Sequence, residues 1–192
     1  MKHEPLIRLL KQYENITPEE EGYVKRYFSC HSFKKGGIIL PAGFPCNKLI
    51  FVNKGLLRAF YDDENGRQIT RMIAWENRFL TNLASFQNLS DSVETFECIE
   101  DAEVLLITRH DLKMLFRDSA SLHNVYIKLL EEYSIINLNR LHLLSIEDVA
   151  SKMRVLKTDY AHLIGRVNDN ILASFLFISR SAFARHKSVL FI

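Results

Sequence analysis

Cysteine is scarce in this chain. Cys30, Cys46 and Cys98 are an odd number, and no two stand in C-x-x-C spacing. That pattern argues against a disulfide framework or a zinc ribbon. Three small, buried or half-buried hydrophobes are the simpler reading. Long apolar runs are missing too. No stretch approaches the roughly 20 residues that cross a bilayer, so no membrane partner is expected. The first fourteen residues, MKHEPLIRLLKQYE, carry charge throughout and lack the apolar stretch of a secretion signal. The expected location is cytoplasmic. The seven histidines, His31, His110, His123, His142 and His162 among them, are scattered, with no His-x-His pair of the kind that metal cupins place on strands. No Ser-His-Asp or paired-carboxylate spacing stands out either. An enzyme is not expected, and no metal or cofactor is implied.

Glycine and proline are absent from most of the chain. All four prolines lie at or before Pro45, and six of the seven glycines at or before Gly66. From Arg67 to Ile164 there is neither residue. Turn-rich β structure therefore belongs early and long helices late, which predicts an α+β fold. Leu6, Ile7, Leu10 and Tyr13 recur at helical spacing. Thr17-Pro18-Glu19-Glu20 reads as a second helix start, with Thr17 as cap, Pro18 at the first position and Glu20 completing a capping box. Short strands are expected at Phe33, Ile38–Leu40, Leu49–Val52, Glu94–Cys98 and Val104–Thr108. Between them Leu56–Tyr61 and Gln68–Ile73 flank Asp62-Asp63-Glu64-Asn65-Gly66, a hairpin in which Asn-Gly supplies the positive φ of a tight turn. So many short strands suggest a roll or barrel.

A short helix is expected at Asp111–Phe116, and from Asp118 to Ser145 nothing interrupts a long one. Leu122, Tyr126, Leu129, Tyr133, Ile136 and Leu143 follow alternating steps of four and three, with Arg140 in the same register. Two readings stay open for that stripe: packing against the chain's own β domain, or a dimer seam. A mixture weighted to dimerisation is favoured, because the helix offers more apolar surface than a small roll can cover. Charge divides along the chain. Residues 140–192 hold eight Lys/Arg against four acids, whereas the rest is mildly acidic. A basic tail suits a polyanionic partner.

The tail carries the pattern of a helix-turn-helix. Asn168 can cap a short helix that buries Ile171, Leu172 and Phe175, with Ala173 small where a second helix crosses. Phe177-Ile178 makes the turn. Ser179 caps a second helix with Phe183 inward and Arg180, Ser181, Arg185 and Lys187 outward. Arg180, one residue past the cap, can donate two hydrogen bonds to guanine O6 and N7. Ser181 can meet a base or a phosphate, Arg185 a base, and Lys187 a phosphate. An ordinary helical hairpin with a solvated basic face would look the same.

Taken together, Phe33-Lys-Lys-Gly36, Leu40-Pro-Ala-Gly43, Phe51-Val-Asn-Lys-Gly55-Leu-Leu-Arg58-Ala-Phe-Tyr61, Ala102–Thr108, Leu172–Leu176 and Ile178-Ser179-Arg180 resemble, in order and spacing, the Crp/Fnr family of bacterial regulators. The resemblance runs from about Phe28 to Lys187. It implies a cyclic-nucleotide-binding-like sensor roll (1–117), a dimerisation helix (118–145) and a short helix-turn-helix domain (146–192). It also implies double-stranded DNA, a homodimer partner and RNA polymerase as partners. The departures are informative. Family members that bind cyclic nucleotides carry a Gly-Glu pair after a Phe, then an Arg with Ser or Thr. Here Phe79-Leu80 precedes Thr81-Asn82, and the later pair falls at Ser92-Val93. With neither the cation nor the carboxylate in place, cyclic AMP binding of the usual kind is expected to be weak or absent. Thr81, Asn82, Leu83, Ser92 and Val93 remain as ligand-pocket candidates. The iron–sulfur form of the family needs clustered cysteines, which are absent. Phe177 stands where the turn normally has Gly, Ser181 where many relatives have Glu, and little chain follows Lys187 to build a wing. These departures keep an alternative open: a ligand-sensing or protein-interaction module whose helix-turn-helix no longer binds DNA.

Overall fold

The computed structural model describes residues 2–191. The fold is α+β. Helix α1 (Glu4–Leu10) buries Leu6, Ile7 and Leu10 and stops short of Tyr13, which lies in the turn beyond it. Helix α2 (Pro18–Tyr27) starts on the expected capping box. The Glu20 N–H donates to Thr17 Oγ1 at 3.3 Å, and the Thr17 N–H donates to Glu20 Oε2 at 2.9 Å.

Eight strands follow: β1 (Ser29–Phe33), β2 (Ile38–Leu40), β3 (Lys48–Lys54), β4 (Leu57–Asp62), β5 (Gln68–Ala74), β6 (Phe79–Leu80), β7 (Thr95–Cys98) and β8 (Ala102–Thr108). They form two four-stranded sheets, ordered β1-β8-β3-β6 and β2-β7-β4-β5. Alternate residues of β3, β7 and β8 fill the space between the sheets, where Phe51, Phe96, Leu105 and Ile107 are fully buried. Gly55 is required where β3 turns into β4. Its φ is +91°, and a Cβ there would stand 2.4 Å from the Asp101 carbonyl oxygen. The β4–β5 hairpin turns at Asp63–Arg67 as expected. Gly66 takes φ +71°, and the Asp63 carboxylate accepts from the Asn65 and Arg67 amides, both at 2.9 Å. Strand β6 and the short helix α3 (Leu83–Asn88) were not expected from the sequence; both are too short for periodicity to reveal.

Helix α4 (Arg109–Asp118) leads to α5 (Ala120–Ser145), 26 residues long. At 1.5 Å per residue α5 runs about 40 Å. Its heptad stripe faces the chain itself. Leu122 and Leu143 are buried, and Tyr126, Leu129, Tyr133, Ile136 and Arg140 are half-buried. The opposite face is the open one, with Ile127, Ile135, Leu138 and Leu141 all exposed. The stripe expected to serve both the chain's own packing and a dimer seam is thus at least partly covered within the chain. Helix α5 is apolar on two sides, and spacing alone does not say which side its own domain covers.

Contacts divide the chain into two compact units. One comprises the residues through Tyr61 with Ile73–Glu131; the other comprises Asp62–Met72 with the chain from Glu132 onward. The division cuts α5 in its middle and assigns the β4–β5 hairpin arm to the C-terminal unit. That unit also holds α6 (Val149–Asp159), α7 (Asp169–Phe175) and α8 (Arg180–His186), followed by a 3-10 turn at Lys187–Leu190. Met153, Leu156, Leu163, Leu172, Leu176 and Phe183 form its core. Among the described residues, no helix is long and apolar enough to cross a membrane.

Candidate nucleic-acid interface

Both helices of the C-terminal pair begin on the caps their sequence advertises. Asn168 Oδ1 accepts from the Ile171 amide at 2.9 Å, and Ser179 Oγ accepts from the Ala182 amide at 3.1 Å. Each bond satisfies an otherwise orphan first-turn donor. Helix α7 buries Ile171, Leu172, Ala173 and Phe175, and α8 buries Ala182 and Phe183. Ser179, Arg180, Ser181 and Arg185 are exposed. The surface so formed opens with a capped helix start and an arginine, followed one turn on by a second arginine. Lys187 differs from its expected role. Its ammonium lies 2.7 Å from Asp169 Oδ2 and is half-buried, bridging the two helices rather than standing free on the outer face. The acid at the first turn of α7 takes up that cation, a long-range pairing invisible to local spacing.

The turn between the helices is strained. Phe177 takes φ +54°, the left-handed region in which a bulky side chain crowds its own backbone. The residue is 53% exposed, and the Arg67 guanidinium lies over its ring at 5.6 Å. Two cations sit at the C-terminal end of α7, where backbone carbonyls lack helical partners. Lys152 Nζ donates to the Leu176 carbonyl at 3.1 Å, and Arg140 donates to the Phe175 carbonyl while lying 3.9 Å over the Phe175 ring. Lys152 is buried, which lowers its pKa, and the nearby Arg140 charge lowers it further. Replacing Phe177 by glycine should stabilise the protein by about 0.5–1 kcal/mol: release of the left-handed strain outweighs glycine's added chain entropy. Thermal unfolding of the two proteins at equal concentration checks this. A lower midpoint for F177G would mean that the ring contact with Arg67 is worth more than the strain.

The ligand-pocket candidates lie along one edge of the roll. Thr81 Oγ1 donates to the Lys48 carbonyl at 3.0 Å. Asn82 caps α3, accepting from the Ser85 amide at 3.0 Å, and its amide nitrogen donates to Glu94 Oε2 at 2.9 Å. Ser92 is buried; its hydroxyl donates to the Glu94 carbonyl and accepts from the Glu94 amide. Leu83 and Val93 are exposed. Two further polar groups nearby are not marked by any motif. Glu94 is a buried carboxylate placed beside Asn82. Arg58 is 7% exposed and holds Glu97 through Nε and Nη2 at 2.6 and 2.5 Å, with its guanidinium 4.0 Å over Phe60. An arginine inside the apolar run Leu56–Phe60 was the one available signal, because a buried guanidinium needs a paired acid. A shallow cleft of about 260 Å³ lies elsewhere on the roll, lined by Ser32, Lys34, Lys54, Asp101 and Glu103 among others, and none of the five candidates lines it. Among the described residues no cluster of His, Cys, Asp and Glu could hold a metal ion. Burial pushes the Cys98 thiol up to about 11, as suits an inert core cysteine.

The strands thus form a two-sheet roll, followed by a long helix and a pair of short capped helices. Residues 30–119 match the family model of the cyclic nucleotide-binding domain. The whole chain has the fold of the Crp/Fnr regulators. It is similar to the catabolite activator protein of Thermus thermophilus, at 22% identity over 95% of this chain and 86% of that one, with a TM-score of 0.57. FixK2 of Bradyrhizobium japonicum is similar at 14% identity over 85% and 84% of the two chains, with a TM-score of 0.69. So is CLP of Xanthomonas campestris, at 15% identity over 91% of each and a TM-score of 0.69. No curated protein sequence matches the chain.

Proposed function

We propose that the protein is a dimeric, sequence-specific DNA-binding transcription regulator of the Crp/Fnr type, working in the cytoplasm and not an enzyme. The carrying observation is α8: capped by Ser179, it buries Ala182 and Phe183 on one side and exposes Arg180, Ser181 and Arg185 on the other. Such a helix start fits a major groove, where Arg180 reads guanine and Ser181 and Arg185 meet bases or phosphates. A second copy covers the open apolar face of α5, and the resulting two-fold axis sets two recognition helices on half-sites roughly 34 Å apart. The roll (1–117) is the sensor, the segment 118–145 with α5 the dimer element and the remainder (146–192) the DNA-binding part. RNA polymerase is a partner in the same reading. Thr81-Asn82 and Ser92-Val93 in place of the phosphate cassette argue that the effector is not cyclic AMP. CLP is described as responsive to cyclic di-GMP, which supports effectors of other kinds for such a roll.

Selection of bound duplexes from a random pool tests this. The expected result is enrichment of a two-fold symmetric site whose affinity falls steeply as salt rises. The second reading, a sensor or interaction module with a decayed helix-turn-helix, is favoured by the strained Phe177 turn. It would be the correct one if no duplex bound at low salt.

A further inference from the structure

Within the C-terminal unit, three separate chain segments meet in one polar cluster. Strand β5 is the edge of its sheet, so its outward backbone groups need partners other than a strand. Ser174, on α7, provides them. Its hydroxyl accepts from the Thr70 amide at 2.7 Å, donates to the Gln68 carbonyl at 2.7 Å, and lies 3.2 Å from Thr70 Oγ1. Arg140, on α5, donates to the Arg71 carbonyl at 3.2 Å and the Thr70 carbonyl at 3.3 Å while also gripping the Phe175 carbonyl. Tyr133 adds a contact to Met72 Sδ at 3.2 Å. Thr70 is wholly buried beneath these groups. The hairpin arm, the distal half of the long helix and the first helix of the helix-turn-helix are thus tied by side chains to one strand edge.

The arm brings an acidic tip with it. Asp62, Asp63 and Glu64 precede Arg67, and the Asp63 carboxylate is held to the Arg67 amide at 2.9 Å. Arg67 in turn lies over Phe177, two residues before the Ser179 cap of α8. The cation of the tip is thus placed on that ring, and the three acids lie within five residues of it in the same turn. Carboxylates at that tip repel a duplex on α8 wherever its phosphates come within the screening length of about 8 Å at physiological salt.

We propose that the Ser174–Arg140–β5 cluster is an autoinhibitory latch, which keeps the acidic hairpin tip against the helix-turn-helix and so holds the protein in a low-affinity state for DNA. This inference rests on the DNA-binding reading above. In the full-length protein, S174A and, separately, R140Q open the latch. Hydrogen exchange across residues 68–72 should then accelerate at least tenfold. Affinity for the selected duplex, measured by fluorescence anisotropy at fixed salt, should rise about tenfold. The double variant D62N/E64Q leaves the latch closed: affinity should rise several-fold with exchange unchanged. If exchange does not change in S174A and R140Q, the cluster is not a latch. If exchange rises while affinity stays level or falls, and D62N/E64Q gains nothing, the latch is not inhibitory. If the wild type binds no duplex and no variant does, the DNA-binding reading falls and takes the inhibitory role with it. If the wild type binds and the variants gain nothing, only the latch is lost.

Discussion

Leu138→Glu is expected to leave the subunit folded and turn the protein into a monomer at micromolar concentration, as read by sedimentation equilibrium. Leu138 is 64% exposed in the single chain, so a glutamate there disturbs little of the subunit's own packing. Surface changes of this kind usually move stability by no more than about 0.5 kcal/mol. Across a two-fold axis the same residue faces its counterpart or a near neighbour. Each copy would lose the burial of a leucine, about 1.5–3 kcal/mol, and two carboxylates would be brought together in a dry seam. Because 1.4 kcal/mol is a tenfold change, dimerisation should weaken by at least about a hundredfold. DNA affinity should fall with it, since two linked half-site contacts exceed one by roughly 10²–10⁴. A variant that remained a dimer would show that Ile127, Ile135, Leu138 and Leu141 are not the seam. Thr or Ser at the inward Leu122 would not make this test, because Leu122 is buried within the chain and its loss would unfold rather than dissociate.

Arg180→Ala should weaken binding to the selected site by about 1–3 kcal/mol per half-site, and so by up to about 6 kcal/mol for a dimer on both. Arg180 is exposed directly after the Ser179 cap, where its guanidinium can present two parallel donors to guanine. Binding to random duplex should fall far less, and base preference should relax at one position of each half-site. Equal losses on selected and random duplex would mean that the arginine meets phosphate only. Lys187→Ala makes the useful contrast. Its ammonium already pairs with Asp169, so the change should cost the structure at most about 1 kcal/mol and leave base preference intact.

The caps were legible because they are local. Thr17, Asn168 and Ser179 each bond an amide three residues on, and such a bond depends only on neighbouring residue types. The Asp63–Gly66 turn was legible for the same reason. The strand-rich first half, the long helix, and the apolar register that places Phe183 inward and Arg180 outward followed from periodicity, whereas β6, α3 and α6 did not. The polar groups with distant partners were not legible. Arg58 meets Glu97 across neighbouring strands, Lys187 meets Asp169 from the preceding helix, and Ser174 meets Thr70 across more than a hundred residues of chain. Nothing in the spacing of any one segment identifies those partners.

Phe177 marks the boundary between the two kinds of knowledge. Its presence where a glycine was expected posed a choice between a changed turn and a strained one, and the observed φ of +54° answers it. The long helix marks the same boundary on a larger scale. Its length and its two apolar faces are written in the residues from Ala120 to Ser145, because helical periodicity needs only the helix. Which face its own chain covers, and therefore which is left for a partner, depends on which distant residues pack against each half of it. That is decided by packing summed over the whole chain, which no local pattern contains.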